Sequence, residues 1–238
     1  MIYRSLLLFV QFSVVWSVGK ICFDGICHCT KIGTAEFYKS VIYCCCMGKN
    51  ITTIPATLDE NMEVLIVKSA SLSEISSGKL DIYPRLTTVI SYFSDMLDLP
   101  LLQSVEVTAF VNLQQLKKIS LVNCPQLREF DGSLFQQNPW LRTITLRKNA
   151  LTRVPRFKLS AWSVPQIDLS NNQIEIIRTG DFDNLALLAL DLNHNKLQKI
   201  EKFSFRNASI DLLRLSNNYL LTEMEKDAFK GVSQIVQL

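Results

Sequence analysis

At 238 residues, with 48% hydrophobic and 20% charged side chains, the chain has the composition of a folded globular or solenoid protein, not a disordered one. A formal net charge of +3 is too mild for the basic footprint of a nucleic-acid-binding domain. Eight glycines and seven prolines leave little room for a flexible linker.

The first residues have the organisation of a secretory signal peptide. Arg4 supplies the positive start, and the run from Leu6 to Val18 is apolar except for Gln11, Ser13 and Ser17. Ser17-Val18-Gly19 offers a small-x-small cleavage site, so residues 1–19 are predicted to be removed. A membrane anchor is the rival, but the run is well short of the ~20 apolar residues a spanning helix needs. The expected route is therefore secretory, towards the extracellular side of the plasma membrane or the medium.

Six of the seven cysteines lie between Cys22 and Cys46: Cys22, Cys27, Cys29, Cys44, Cys45 and Cys46. In a secreted chain such a cluster predicts a disulfide framework, here an N-terminal cap over residues 20–61. Zinc held by Cys27, His28 and Cys29 with Cys44–Cys46 is the competing chemistry. The C-x-C spacing is tighter than the usual zinc spacing, and the oxidising route opposes it, so no metal is predicted. The odd cysteine total leaves at least one sulfur outside any internal pairing.

From residue 62 a repeat takes over. Val164-Pro-Gln-Ile-Asp-Leu-Ser-Asn-Asn-Gln-Ile-Glu-Ile-Ile177 is answered 23 residues later by Leu187-Leu-Ala-Leu-Asp-Leu-Asn-His-Asn-Lys-Leu-Gln-Lys-Ile200. Both fit L-x-x-L-x-L-x-x-N-x-L-x-x-I, the leucine-rich repeat, and a fixed period of this length marks a solenoid. Its first slots fall at Met62, Leu86, Leu116, Leu141, Val164, Leu187, Ile210 and Ile235. The frame is poorest after Leu86, where Ser91 and Ser94 stand in the leucine and asparagine slots. Extended backward, it puts Cys44 and Cys46 on inward positions of a first strand, with Cys45 facing outward. Phe110, Phe135, Phe182, Phe205 and Phe229 each precede the next repeat by five or six residues and predict a stacked spine. The predicted fold is an α/β leucine-rich-repeat solenoid. A curved parallel β-sheet lines the concave face, and short helical or 3₁₀ turns and loops form the convex face. Repeats fill residues 62–238, and the last is barely begun. Because a solenoid needs a polar terminal cap, the chain is expected to be a fragment of a longer one.

No catalytic chemistry is organised by this pattern. His28 and His194 are the two histidines, and neither has a nucleophile at a recognisable spacing. No glycine-rich phosphate loop appears, so neither an enzyme nor a cofactor is predicted. Asn50-Ile-Thr52 and Asn207-Ala-Ser209 are sequons, placed between strands, where glycans would not obstruct the concave sheet. Binding of a protein partner is expected on the outward positions between the leucines. These run from apolar and aromatic (Ile66, Lys68, Ile90, Tyr92, Phe93), through basic (Lys118, Arg142, Arg147), to acidic or mixed (Asp168, Asp191, Asn193, Arg214). Tyr92 and Phe93 suit an interface anchor, and the basic band suits an acidic partner surface.

Three stretches resemble the ectodomain of the glycoprotein-hormone receptors, the leucine-rich-repeat-containing G-protein-coupled receptor family. The cap reads Ile26-Cys-His-Cys29, then Cys46-Met-Gly-Lys-Asn-Ile-Thr-Thr-Ile-Pro55. Ser204–Val232, with Lys226-Asp-Ala-Phe-Lys-Gly-Val232, is similar to the family's late repeats and shares an extra residue after the asparagine. The same insertion recurs at Asn123-Cys-Pro-Gln-Leu127, before the short Arg153-Val-Pro-Arg-Phe157. The resemblance implies bridges Cys22–Cys29 and Cys27–Cys46, and a cystine-rich protein hormone bound on the concave strands. It also implies membrane attachment only through a seven-helix domain beyond Leu238. Cys44, Cys45 and the 30-residue step after Leu86 depart from the family pattern. A secreted matrix or adhesion protein, or an innate-immune one, shares the architecture and is the alternative.

Overall fold

A computed structural model of the chain describes residues 25–33, 40–91, 99–159, 165–232 and 234–237. The predicted signal peptide, Cys22, Tyr92, Phe93 and Val164 lie outside the described residues. Within them fifteen strands follow one another. The first eight are β1 (Ile26–Gly33), β2 (Ser40–Met47), β3 (Val64–Lys68), β4 (Glu74–Ile75), β5 (Thr88–Ile90), β6 (Ser104–Val105), β7 (Lys118–Ser120) and β8 (Thr143–Thr145). The remainder are β9 (Gln166–Asp168), β10 (Ile176–Ile177), β11 (Ala186–Asp191), β12 (Lys199–Ile200), β13 (Ser209–Arg214), β14 (Glu223–Met224) and β15 (Gln234–Gln237).

One sheet takes the strands in the order β1-β2-β3-β5-β7-β8-β9-β11-β13-β15. Only β1 and β2 pair antiparallel; every later neighbour is parallel, one strand per coil. The register runs Cys44, Leu65, Val89, Ile119, Ile144, Ile167, Leu190, Leu213, which is the frame expected from the repeat. Those side chains point inward and are buried with Met62, Leu86, Leu116, Leu141, Leu187 and Ile210. Burying one such side chain is worth roughly 1.5–3 kcal/mol, but none can be buried without the coil beside it.

Polar backbone at the bend is satisfied by a ladder of asparagines. Asn195 Nδ2 donates to the Leu169 and Leu192 carbonyls at 3.0 Å, while its Oδ1 accepts from the Ile174 amide at 3.1 Å. Asn149, Asn172 and Asn218 repeat this pattern, each tying its own coil to the one before. Cys124 stands in the same slot, and its amide donates to Asn149 Oδ1 at 2.8 Å. Its thiol is buried and donates to the Val122 carbonyl, the behaviour of a bend residue. At the poorest point of the frame Ser91 is buried on the inward side, and its hydroxyl accepts from the Val122 amide at 3.0 Å. A polar residue in a leucine slot is tolerated there because it is hydrogen-bonded.

The phenylalanine spine forms as predicted. Phe182, Phe205 and Phe229 stack with centroids 4.9 and 4.7 Å apart, and Phe110 stacks on Phe135 at 6.1 Å. The convex side carries less helix than the α/β description suggests. Gly132–Phe135 is the one 3₁₀ turn among the described residues, its first turn capped by Asp131, and the other segments are single hydrogen-bonded turns. With some 23 residues per coil and a strand in each, no room remains for a regular helix. Two small sheets lie on this side, β4-β6 and β10-β12-β14.

The cap is an antiparallel hairpin in which Cys27 faces Cys46 and Cys29 faces Cys44. Both pairs are disulfide-bonded, so Cys27–Cys46 forms as the resemblance implies, whereas Cys22–Cys29 does not. The hairpin register decides this: Cys29 already has Cys44 directly across the strand pair, on the face that carries the neighbouring bridge. Cys45, on the opposite face, is disulfide-bonded as well. With these sulfurs in S–S bonds, the zinc alternative loses its thiolate ligands.

Among the described residues, the backbone crosses the left-handed region just before the bend slot at Ser69 (φ 49°), Asn123 (60°), Lys148 (56°), Asn171 (55°), His194 (56°) and Asn217 (60°). Lys148 sits where asparagine or glycine is at ease, a conformation costing other residues about 1–2 kcal/mol. Lys148→Asn is expected to raise stability by about 0.5–1 kcal/mol, read as a higher midpoint of chemical denaturation. In contrast, Asn195→Ala strands the Ile174 amide and takes one of two donors from each of the Leu169 and Leu192 carbonyls, which keep Asn172 and Asn218. It should cost about 1–3 kcal/mol in the same assay.

Candidate functional site

The outward side chains of the main sheet form two straight rows, because every coil repeats the register of the last. One row runs Val64, Thr88, Lys118, Thr143, Gln166, Ala189, Leu212. The other runs Ile66, Ile90, Ser120, Thr145, Asp168, Asp191, Arg214. Ile90, Lys118, Asp168, Asp191 and Arg214 therefore share one surface. Lys68, Arg147 and Asn193 lie just past the strand ends and border it.

Ile66 is a correction. It belongs to the outward row but is fully buried, clustered with Tyr43 and Cys45 on the same face. A side chain with no accessible surface cannot contact a ligand without rearrangement, so the usable face starts at Ile90. The basic band is also less compact than the sequence suggests. Arg142 precedes β8 and Arg147 follows it, at opposite ends of the strand, with Thr143 and Thr145 between them. Lys118 alone of the three sits in a central row, half-buried, and burial pulls its ammonium pKa down.

At the acidic end, two aspartates occupy equivalent positions on adjacent strands. Asp168 Oδ1 accepts from the Ser170 amide at 2.9 Å and from its hydroxyl at 2.6 Å. Asp191 Oδ1 accepts from the Asn193 amide at 2.9 Å, and its other oxygen lies 3.8 Å from Arg214 Nη1. Burial raises the Asp191 pKa, and the neighbouring Asp168 charge adds to the rise; the Asn193 amide and Arg214 oppose it. The face is thus partly desolvated before any partner arrives, and its charges are fixed by backbone hydrogen bonds.

Sequence reasoning passed over Thr143, Thr145 and Gln166, which separate the basic residues from the acidic ones. Counting strand positions from the repeat frame would have found them, but their neutrality drew no notice. Asn138 was likewise unmarked; it is buried, and its amide donates to the Phe110 and Leu113 carbonyls at 2.9 Å beneath the spine. Both sequon asparagines are exposed and off the face. Asn50 donates to the Gly25 carbonyl at 2.8 Å, and Asn207 to Asn184 Oδ1 at 3.3 Å.

Comparison with known proteins agrees with the repeat. The leucine rich repeat family model matches residues 141–197, the most regular coils. No curated protein matches the chain. Among solved structures, the chain is similar to human 5T4 (Wnt-activated inhibitory factor 1, trophoblast glycoprotein) at 18% identity. That likeness covers 72% of this chain and 77% of the other, with a TM-score of 0.43. The molecule is a leucine-rich-repeat solenoid, and its disulfide-bonded hairpin is that of a domain made in an oxidising compartment.

The coupling of the two aspartates can be measured. Asp168→Asn keeps the oxygen that accepts from Ser170 and deletes the charge. The Asp191 titration midpoint, followed by carboxyl-carbon NMR, is expected to fall part of the way to the ordinary carboxylate value. An unmoved midpoint would assign the whole shift to burial.

Proposed function

We propose that the strand face from Ile90 to Arg214 binds a protein partner. The observation that carries this reading is the pair of registered outward rows. They array apolar, basic, hydroxyl and acidic side chains in sequence across a rigid sheet. Such a surface discriminates by charge pattern, and its preorganisation lowers the entropic cost of association. A partner would meet its apolar part near Ile90 and place acidic groups between Arg142 and Arg147. Its basic groups would lie over Asp168 and Asp191.

The finer reading is a receptor ectodomain that binds a cystine-rich protein hormone, continued by a seven-helix membrane domain. Its support is the resemblance of the cap and late repeats to glycoprotein-hormone receptors, together with the Cys27–Cys46 bridge. The Cys29–Cys44 bridge departs from that family's pairing and weighs against close kinship. Binding would act by shifting the receptor between states for which the hormone has different affinity.

The test is binding of the secreted protein to a panel of cystine-rich hormones, followed by charge reversal. Arg142→Glu with Arg147→Glu is expected to weaken the identified complex at least tenfold, with the thermal midpoint unchanged within a few degrees. Unchanged affinity would remove the two arginines from the binding surface. Failure of every hormone, with another protein captured on the same face, would overturn the receptor reading alone.

A further inference from the structure

The small sheets of the convex side do not run the length of the molecule. β6 closes the early one and β10 opens the late one, and the two coils between them contribute no strand. The sequence supplies a reason. One of these coils carries the inserted residue at Pro125, and the other carries Pro155, which has no amide proton to donate to a ladder. The backbone still stacks, since the Thr152 amide donates to the Arg128 carbonyl at 3.3 Å. Side chains from these coils and the flanking strands enclose an open trough of about 790 Å³, within the range of sites that hold small ligands.

Four arginines line it: Arg128, Arg153, Arg156 and Arg178. The inserted residue offsets the two coils by one position, so Arg128 is level with Thr152 and Arg153 with Glu129, on backbones about 5 Å apart along the axis. Among the described residues, no carboxylate lies within salt-bridge distance of any of the four guanidinium groups. The lining carboxylates are mostly committed elsewhere. Asp131 Oδ1 accepts from the Ser133 amide at 2.9 Å, and Asp181 Oδ2 from the Arg178 amide at 2.7 Å. Burial pushes the Asp181 carboxyl up to about 6, against the pull of the Arg178 amide and the Arg178 and Arg156 charges. Glu129 and Asp131 are the exposed carboxylates of the lining.

We propose that this trough binds a sulfated polysaccharide, whose sulfate groups are taken by Arg128, Arg153, Arg156 and Arg178. Guanidinium forks donate to two oxygens of one anionic group in a plane, which suits sulfate better than a point ammonium would. Neutral hydrogen-bonding groups stand beside them in Gln103, Ser104 and Gln126, chemistry suited to sugar hydroxyls. The apolar floor, Phe130 and Val154, is buried and presents little apolar surface to a peptide's anchoring side chain. That separates a polysaccharide from an acidic peptide, and the trough lies apart from the strand face, so either assignment can fail alone.

The experiment measures binding of a size-defined heparin decasaccharide to the secreted protein over a range of salt concentrations. Arg128→Gln with Arg153→Gln, and separately Arg156→Gln with Arg178→Gln, are each expected to weaken binding at least tenfold. Each pair should also lower the slope of log affinity against log salt by about 1.5. Lys79→Gln with Arg85→Gln, exposed residues away from the trough, should leave both unchanged. Equal losses in all three double variants would reduce the effect to overall charge and overturn the proposal. So would absence of heparin binding, or equal competition by a polyglutamate peptide of matched charge.

Discussion

The structure depends on one constraint: no coil can satisfy its own bend. A repeat of 23 residues turns its backbone away from the sheet ladder and leaves amides and carbonyls facing the interior. An unsatisfied buried group of this kind costs about 1–3 kcal/mol. In the four coils that carry it, the bend asparagine meets that demand with three groups at once, two of them in the preceding coil. Stacking is thereby enforced by polar geometry as well as by leucine burial. The apolar core alone would allow coils to slide or rotate; the strand hydrogen bonds fix their register to the residue, and in the later coils the amide ladder reinforces it.

Fixed register is what makes the outward face usable. Residues 23 to 30 apart in sequence become lateral neighbours about 5 Å apart, so Thr145, Asp168 and Asp191 read as adjacent on one line. The Asp168–Asp191 coupling follows directly. Two carboxylates in identical slots of consecutive coils are close because the fold places them there, and each is oriented by an amide two residues on. The cap transmits the same register to the first coil. Two cross-strand disulfides lock β1 to β2, and β2 then pairs in parallel with β3. The N-terminal coil thus gains a neighbour that is held covalently.

The frame, the inward column, the asparagine ladder and the phenylalanine spine were legible because each recurs at the repeat period. Cys44 and Cys46 could be placed inward by extending that frame, and the strand register agrees. What could not be read is what the period does not encode. The pairing of Cys29 with Cys44 depends on where the β1–β2 hairpin turns, and a single copy of a motif carries no register of its own. The burial of Ile66 depends on the company of Tyr43 and Cys45, contributed by the cap and not by the repeat. Asn138 escaped notice because its amide serves the convex turns, where no fixed template raised the question. The neutral threonines at the centre of the face were visible but had no chemical contrast.

Irregularity therefore has a defined place in this architecture. A substitution in the amide ladder or inward column disturbs two coils, which restricts variation to outward rows and to convex segments. Pro125 and Pro155 use that freedom. They interrupt the small convex sheets where two coils can remain stacked through Thr152 and Arg128 without continuing the strands. The trough lies at this interruption, lined by arginines with no carboxylate within salt-bridge distance among the described residues. The face and the trough arise from opposite causes. The first exists because the repeat is regular, and the second because it lapses without breaking the stack.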